Sequence, residues 1–229
     1  MKLRTEQPLH HEIALHESGW WAPAQVGGSM SRWQQSAIEH LEVALRHANG
    51  RQVAVQAGSH IGVWPVELSR HFRHVHTFEA DKVNRDCAMR NIYGLNRAHV
   101  TLHPEALGAE AGEIGWYRSI SNSGKHKPAS PMPLWNRKGF IHGTVPVITL
   151  DSLELVECDL LCLDVEGFEL PALQGAERTI REFRPAILVE ELGHGAFHGL
   201  TPGGVAHWLL DHGYREVEQI DDDHIWVPA

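Results

Sequence analysis

From about residue 51 to its end, the chain alternates short apolar runs with amphipathic stretches, and this alternation constrains the fold more than any other feature. The apolar, β-branched runs lie in RQVAVQAG, VHTFEAD, VTLHPEALG, CDLLCLDVEGFE and RPAILVEEL, and helical spacing follows all of them except the third. Helices that join successive strands place those strands in parallel. We therefore predict an α/β fold with a doubly wound, mostly parallel sheet covered by helices on both faces.

The remaining segments complete this outline. SRWQQSAIEHLEVALRH has the spacing of an amphipathic helix with Ser31 as its N-cap, and REVEQI with HIWVPA is typical of a closing hairpin. Residues 111–143 lack periodicity and are predicted to be irregular. Residues 1–30 are interpreted as an N-terminal extension packed on a single domain formed by residues 31–229.

Composition and charge exclude several classes of protein. The chain has 229 residues, 42% of them apolar, but no apolar run approaches the roughly 20 residues that cross a bilayer. The N-terminus lacks the apolar core of a secretory signal, so we expect a soluble, unprocessed protein of the cytoplasm. The net charge of −9 disfavours a nucleic-acid partner, because phosphate binding needs a basic surface. Three cysteines without CxxC spacing favour reduced thiols over a disulfide framework or a zinc site.

The most informative segment is Gln56-Ala57-Gly58-Ser59-His60-Ile61-Gly62, where the first predicted strand turns into its helix. Gly58 permits a tight turn and the close approach of a ligand, and the helix that follows offers free N–H groups to polar or anionic atoms. The dinucleotide pattern GxGxxG does not fit, because Ala57 and Ser59 occupy two of its glycine positions. Close packing of the helix on the strand is the alternative explanation of the glycines.

An acid follows the second predicted strand. Glu79 lies 21 residues after Gly58, at the position where doubly wound folds place an acid that binds ribose hydroxyls. The glycine turn and this acid therefore both indicate a nucleoside as the ligand. Asp81 is a second candidate, but it could equally cap the helix that follows. Glu105 and Ala106, at the exit of the third strand, offer an acceptor and an apolar wall to an adenine, or else form an ordinary surface turn.

Three carboxylates crowd beside a glycine in Asp164-Val165-Glu166-Gly167-Phe168-Glu169, at the carboxyl end of an apolar strand. Burying them without compensation is costly, so some of them must face water, a cation or a ligand. Alternatively, Glu166 and Glu169 lie in the first turn of a helix, where acids complement the helix dipole. We expect this second explanation to hold for at least one of them.

Together these segments resemble the FkbM-type methyltransferases. LLCLDVEGFELPALQGAERTIREFRPAILVEE is similar to the central motif of that family, and VITLDSL is similar to its lead-in. AGSHIGVW, FEADKVNRDCAMRNIYGLN, ALG at 106–108, NSG at 122–124 and HGY at 212–214 match in the same order, over roughly residues 50–229. The chain is most similar to versions carried by bacteriophages, including a Trp-rich N-terminal segment, which would place it in the host cytoplasm.

The resemblance implies a class I methyltransferase fold, which is a Rossmann-like, mostly parallel seven-stranded sheet with an antiparallel C-terminal hairpin. It also implies S-adenosylmethionine as the cofactor, with the glycine turn at its methionine part, Glu79 at its ribose and Asp164 at the reacting methyl group. Gln56 stands where the family usually has an acid; it can still bind the cofactor's amino and carboxylate groups, but it removes a negative charge. The predicted cofactor-binding residues are Gln56, Gly58, Ser59, His60, Gly62, Glu79, Ala80, Glu105, Ala106 and Asp164.

Methyl transfer to a hydroxyl oxygen, as the resemblance implies, requires a base that takes the hydroxyl proton. Asp164, Glu166 and His194 are the predicted catalytic residues, because all three follow strands at the expected edge of the sheet. In a competing arrangement, Glu190 and His194 would hold a divalent cation with Asp164. We predict no metal, because His and Glu four residues apart recur by chance.

The predicted acceptor is a small molecule or a glycan. The irregular stretch from Arg118 to Gly143 is interpreted as its cover, because a mixture of cations and an indole suits a sugar or an acidic molecule; a solvated loop is the alternative. The residues concerned are Lys125, Lys127, Trp135, Arg137 and Lys138.

Two other functions share this fold. A nicotinamide-dependent oxidoreductase would use the same ribose acid, although the glycine pattern disfavours it. A non-catalytic nucleoside-binding module is the other alternative, and Gln56 in place of an acid makes it worth testing.

Overall fold

The computed structural model describes residues 13–15, 19–23, 30–119, 122–128, 140–191, 201 and 203–229. The strands are β1 (Ile13–Leu15), β2 (Trp21–Pro23), β3 (Val53–Ala57), β4 (His74–Phe78), β5 (Val100–His103), β6 (Ala106–Leu107), β7 (Gly112–Ser119), β8 (Lys127–Pro128), β9 (Phe140–Ile148), β10 (Leu160–Leu163), β11 (Ala186–Glu190), β12 (Tyr214–Ile220) and β13 (Asp223–Pro228). The α-helices are α1 (Met30–His47), α2 (Val63–Leu68), α3 (Lys82–Gly94), α4 (Glu169–Gln174), α5 (Glu177–Phe183) and α6 (Gly204–Asp211).

The main sheet has seven strands in the order β12-β13-β11-β10-β3-β4-β5. Its strands are parallel except for β13, which runs antiparallel to both β11 and β12. This arrangement confirms the predicted doubly wound α/β fold with an antiparallel C-terminal pair. It also brings the carboxyl ends of β3, β4, β10 and β11 to one edge of the sheet, where such folds bind ligands.

Apolar layers cover both faces of this sheet. One layer packs the sheet against α1, α2 and α3 and includes the fully buried Leu41 and Ile92. The other packs it against α4, α5 and α6 and includes the fully buried Leu161 and Leu173. Because β10 and the first four residues of β11 are buried on both faces, they are continuous apolar runs. Strand β4 instead alternates, with His74 and His76 half-buried.

A second sheet of four strands, in the order β6-β9-β7-β8, occupies part of the segment that we predicted to be irregular. Residues 112–119 pair antiparallel with β9, from Gly112 opposite Val147 to Ser119 opposite Phe140. The prediction was wrong here because glycines interrupt the apolar pattern of GEIGWYRS and because its partner strand lies far along the chain.

Two predicted helix boundaries also differ in the structure. Helix α1 begins at Met30, so Ser31 lies inside it and is not its N-cap. The single helix predicted after β10 is divided at Gly175, where a side chain would overlap the carbonyl oxygen of Gly108. Asp151 then accepts hydrogen bonds from the N–H groups of Arg178 and Thr179 at 2.8 and 2.9 Å, and thereby caps α5.

The described part of the N-terminal segment contacts α3. The Trp21 N–H donates to Asn91 Oδ1 at 2.8 Å, and Asn91 Nδ2 donates to the Trp21 carbonyl oxygen at 2.9 Å. The guanidinium of Arg90 lies over the Trp21 ring at 4.6 Å. The division into an extension of residues 1–30 and a domain of residues 31–229 stays a prediction.

Within the described part of the chain, every helix is too short or too polar to span a lipid bilayer.

Candidate active site

The turn after β3 is held against the ends of two neighbouring strands. Gly58 has φ +85°, and the N–H groups of Gly58 and Ser59 donate to the carbonyl oxygen of Phe78 in β4 at 3.1 and 3.0 Å. A Cβ atom on Gly58 would overlap the carbonyl oxygen of Asp164 at the end of β10. Glycine is therefore the residue that lets three strand ends converge.

His60 and Gly62 complete the turn in left-handed conformations, with φ of +50° and +94°. The His60 N–H donates to Glu79 Oε2 at 2.7 Å, and its ring Nε2 lies 2.7 Å from the hydroxyl oxygen of Ser123. Burial and then the nearby His126 lower the pKa of His60 to about 3, so the ring stays neutral at pH 7.

Gln56 lies beside this turn rather than in it. Its side chain is fully buried and accepts a hydrogen bond from Thr77, while its Nε2 finds no hydrogen-bond partner among the described residues. Gln56 is not among the residues that line either cavity described below. In this conformation the Gln56 amide oxygen accepts the Thr77 hydroxyl and thereby links β3 to β4.

The carboxylate of Glu79 closes the end of β4. It is 6% exposed, and its two oxygens accept the N–H groups of His60 at 2.7 Å and Asp81 at 2.8 Å. Burial and then repulsion by Asp81 raise its pKa to about 8, against the opposing effect of the two N–H donors. Asp81 itself accepts the N–H groups of Val83 and Asn84 and caps α3, so its capping role is confirmed.

A first cavity of about 250 Å³ opens above these strand ends. Its floor is the turn and Glu79, and its side walls are residues 105–107, residues 164–166 and Phe168. Seven of the predicted cofactor-binding residues line it, namely Gly58, His60, Glu79, Ala80, Glu105, Ala106 and Asp164. Gly62 lies behind the turn, against Ala88 of α3.

Residues 122–128, which we call the cover segment, form the roof of the first cavity. They contain a short 3-10 helix at 123–125 and strand β8. Asn84 Nδ2 donates to the Ser123 carbonyl oxygen at 2.9 Å, and the Ser123 hydroxyl contacts the His60 ring. His126 Nε2 lies 3.9 Å from Asp81 Oδ1. The cover segment is therefore tied to the first turn of α3 and to the glycine turn.

Asp164 and Glu190 form an acid pair at the ends of adjacent strands. The register of β10 and β11 aligns Leu163 with Val189, so the next two side chains meet and their carboxyl groups share a hydrogen bond. Burial and then the negative groups around them raise the pKa of both carboxyls, and Glu190 is the one that keeps its proton at pH 7. When two carboxyl groups lie this close, repulsion between two negative charges favours the state in which one of them is protonated.

Glu166 and Glu169 have different roles in the next turn. Glu169 begins α4 and accepts the N–H groups of Val165 and Gly167 at 3.1 and 3.0 Å, so it is structural, as expected for at least one of the two. Glu166 lies outside the helix with φ +56° and lines the first cavity. Burial and then Asp164 raise its pKa to about 7, although Lys127 opposes the shift. A strained residue that faces a cavity is a recurrent feature of functional sites.

A second cavity, also of about 250 Å³, adjoins the first. It lies between α1, the glycine turn and the turn that joins β12 to β13, and it shares Gly58, His60, Asp164 and Glu190 with the first cavity. Ser59 lines this second cavity. The acid pair therefore lies where the two cavities meet.

Some predicted residues fall outside the described part of the chain. These are His194, Trp135, Arg137 and Lys138. Lys125 lines the first cavity from the cover segment, and Lys127 is buried there. Among the described residues, no group of three or more His, Cys, Asp or Glu side chains is arranged to hold a metal ion.

Sequence reasoning missed the residues that hold the site together from a distance. His40 of α1 lies 2.6 Å from Asp223 of β13, and Asn84 and Ser123 join α3 to the cover segment. The amphipathic pattern of α1 placed His40 on a helix but gave no partner, since Asp223 lies 183 residues along the chain. The NSG at 122–124 was noticed only through resemblance.

Comparison with known proteins gives a family and a fold. Residues 56–216 match the family model described as methyltransferase FkbM domain. The crystal structure of methyltransferase FkbM from Methylobacillus flagellatus matches with 18% identity and a TM-score of 0.52, over 78% of this chain and 43% of that one. This chain therefore spans less than half of that protein, and at such identity the likeness shows the fold alone.

Two further solved structures are more distant. A SAM-dependent methyltransferase from Aquifex aeolicus has 12% identity and a TM-score of 0.46 over 87% of this chain and 93% of its own. N-methyltransferase NodS from Bradyrhizobium japonicum has 9% identity and a TM-score of 0.48 over 87% and 96%. No curated protein sequence matches the chain.

The geometry of the glycine turn predicts a specific loss of stability. Gly58→Ala should lower the free energy of unfolding by about 1–3 kcal/mol, because the new methyl group meets a carbonyl oxygen and because φ is positive. Gly112→Ala is the control: nothing lies within 4 Å of its added Cβ, so we expect a change within about 0.5 kcal/mol. Denaturant unfolding of both variants measures the difference, and equal stabilities would contradict the packing described here.

The acid pair predicts a pH-dependent stability. The folded chain keeps a proton on Glu190 that the unfolded chain releases above its usual pKa of 4.5, so stability falls as pH rises from there. Glu190→Gln keeps the shape and a hydrogen-bond donor without the proton requirement. It should be more stable than the wild type at pH 8, by on the order of 1–3 kcal/mol, and closely similar at pH 4.

Thermal unfolding at pH 4, 6 and 8 checks this prediction. Glu191→Gln, at the next position in the chain and outside the pair, serves as the control and should follow the wild-type profile. A Glu190→Gln variant that is less stable than the wild type at pH 8 would show that the carboxyl is charged and favourably paired.

Proposed function

Because the chain belongs to the methyltransferase FkbM domain family and has a class I methyltransferase-like fold, we propose that it is an S-adenosylmethionine-dependent methyltransferase that methylates a hydroxyl oxygen on a sugar or another small molecule. The observation that carries the proposal is the joint placement of Glu79 and the Gly58 turn on the floor of one cavity. Family membership favours this activity over nicotinamide-dependent oxidation.

The first cavity suits an adenosine. Each Glu79 oxygen accepts one backbone N–H, and each has a further lone pair for a ribose hydroxyl. Phe78, Leu107 and Phe168 add apolar surface to the walls, beside the polar Glu105. A mixture of apolar walls and a few oriented polar groups is typical of cofactor sites.

The charge at the meeting point of the cavities suits a sulfonium. When bound, S-adenosylmethionine supplies an electrophilic methyl group on a positively charged sulfur and leaves a neutral thioether. The Asp164 carboxylate accepts a hydrogen bond from the protonated Glu190, which stabilises its charged form. It provides negative charge at the place where the two cavities join. The shared proton also limits the total negative charge there.

Glu166 is the base that the geometry favours among the three candidates. A base works best when its pKa lies near the working pH, and the pKa of Glu166 is raised to about 7. It faces the first cavity, whereas the Asp164 carboxylate is already engaged with Glu190. His194 lies outside the described residues and keeps its place as an alternative base.

The other parts of the proposal concern partners and location. We propose a small-molecule or glycan acceptor, no nucleic-acid partner, and the cytoplasm as the location, which the net charge of −9 and the absence of a long apolar run in the sequence support. The Trp-rich N-terminal segment, with Trp20 and Trp21, resembles that of family members carried by bacteriophages. This resemblance supports the proposal that the chain is a bacteriophage version of the family.

Calorimetric titration with S-adenosylhomocysteine tests the cofactor. The wild type should bind it, and Glu79→Ala should weaken binding about 10- to 100-fold, because the oxygens that accept the ribose hydroxyls and that hold the His60 N–H are lost. Glu113→Ala, on the exposed surface of β7, is the control and should bind like the wild type. Binding of a nicotinamide cofactor in place of S-adenosylhomocysteine would overturn the proposal.

Transfer of a labelled methyl group to a panel of sugars and small alcohols tests catalysis. With an acceptor found in this way, Glu166→Gln should lower kcat about 10²- to 10⁴-fold and leave the affinity for S-adenosylhomocysteine within a fewfold of the wild type. The wild-type pH profile should rise through about pH 7 and the variant profile should not. An unchanged kcat would exclude Glu166 as the base, and binding without transfer to any acceptor would favour a non-catalytic module.

A further inference from the structure

The acid pair continues into a third buried carboxyl group on the next strand. Glu190 of β11 lies directly opposite Asp223 of β13, and Asp164 follows Leu163, which lies opposite Val189. Residues directly opposite each other on neighbouring strands have their side chains on the same face, with Cβ atoms about 4.5–5.5 Å apart. Asp164, Glu190 and Asp223 all line the second cavity and form one row of acids across three strand ends, which we call the acid row.

His40 of α1 lies against the outer end of the acid row. Its Nδ1 lies 2.6 Å from Asp223 Oδ2, and its Nε2 lies 3.4 Å from Asp221 Oδ2. The side chains of His40 and Asp223 are only 15% and 10% exposed, whereas that of Asp221 is 78% exposed. An imidazole donates hydrogen bonds from both ring nitrogens only when it is positively charged. The geometry therefore places a largely buried cation beside Asp223.

The other charged groups around Asp223 do not take the place of His40. Burial raises the pKa of Asp223, and the hydrogen bond from His40 and then the charge of His40 oppose this shift most strongly. His224 opposes it less, since its ring already contacts Glu216 at 2.8 Å, and Asp222 adds to it. The titratable groups that surround Asp223 among the described residues are His40 from α1, Asp164 from the end of β10, Glu190 from β11, Asp221 and Asp222 from the turn, and His224 from β13.

The negative charge of Asp223 acts on Asp164 as well. Burial and then repulsion by Asp223 raise the pKa of Asp164, while the hydrogen bond from Glu190 opposes the shift. Three buried carboxyl groups this close together cannot all be ionised, so an unbalanced Asp223 would draw a second proton onto the acid row. With the His40 cation against Asp223, the one proton on Glu190 is enough.

We infer that His40 is a positioning residue for methyl transfer, which balances the charge of Asp223 and thereby keeps Asp164 ionised where the two cavities meet. This role rests on the proposed function, because it requires a cation that binds beside Asp164. S-adenosylmethionine carries such a cation, whereas the sulfur of S-adenosylhomocysteine is a neutral thioether. The ratio of the two affinities therefore reports the negative charge on Asp164, and losses that affect both ligands alike leave the ratio unchanged.

His40→Gln in the full-length chain tests the role of the charge, because glutamine can still donate a hydrogen bond to Asp223 but is neutral. At pH 7 the variant should bind S-adenosylmethionine about tenfold more weakly than the wild type does, and S-adenosylhomocysteine within about twofold of it. Calorimetric titration with both ligands at pH 7 and pH 8.5 measures the ratio. The difference between variant and wild type should narrow at the higher pH, because the second proton then leaves the acid row.

His47→Gln is the matched control. His47 lies about two turns further along α1, its Nε2 is 3.0 Å from Glu218 Oε2 of β12, and it lines neither cavity. Its substitution removes a similar contact between α1 and the C-terminal hairpin and should leave the ratio at the wild-type value. Adding Asp223→Asn to His40→Gln removes the repelling charge and should restore most of the ratio. The neutral Gln–Asn pair also keeps this variant folded should His40→Gln alone be unstable.

Each contrary outcome has a distinct meaning. An unaltered ratio in His40→Gln, an equal change in His47→Gln, or a change that is the same at both pH values would overturn the role of His40, because the residue would then only join α1 to the sheet. Failure of Asp223→Asn to restore the ratio would overturn it as well. A wild type that binds neither ligand would instead overturn the proposed function.

Discussion

The close approach of Gly58 to the carbonyl oxygen of Asp164 is the contact on which the rest of the site depends. It lets the ends of β3, β4 and β10 converge, because no side chain separates them and because the turn donates its N–H groups to β4. Glu79 can then accept the His60 N–H, and His60 can reach the cover segment. A bulkier residue at this one position would separate the floor of the first cavity from its roof.

Burial of acids is the second organising feature, and it carries a cost in stability. Burial raises the pKa of Glu79, Asp164, Glu166 and Glu190, so the folded chain holds protons that the unfolded chain releases as the pH rises. Such groups are commonly concentrated where binding or catalysis requires them. Glu169 belongs to the same segment, but two N–H groups satisfy it and its role is to hold the turn.

The fold was predictable where local sequence decides structure. β10 and the first four residues of β11 are continuous apolar runs because they are buried on both faces. The position of Glu79 was predicted because its distance from Gly58 follows from one strand-helix-strand unit. β7 was not predicted because its glycines interrupt the apolar pattern of a strand and because its partner strand, β9, lies some way along the chain. The acid pair depends on the register of β10 with β11, and the contact of His40 with Asp223 joins the two halves of the chain, so neither could be predicted from local spacing.

The small second sheet has a consequence for how this architecture can diversify. It carries the cover segment, and its register is set by pairing among its own strands rather than by pairing with the main sheet. Insertions or exchanges in the hairpin between β7 and β9 can therefore reshape the roof while the floor built by β3, β4 and β10 keeps its geometry. Under the proposed function, recognition of new acceptors would in this way change separately from binding of the cofactor at the floor.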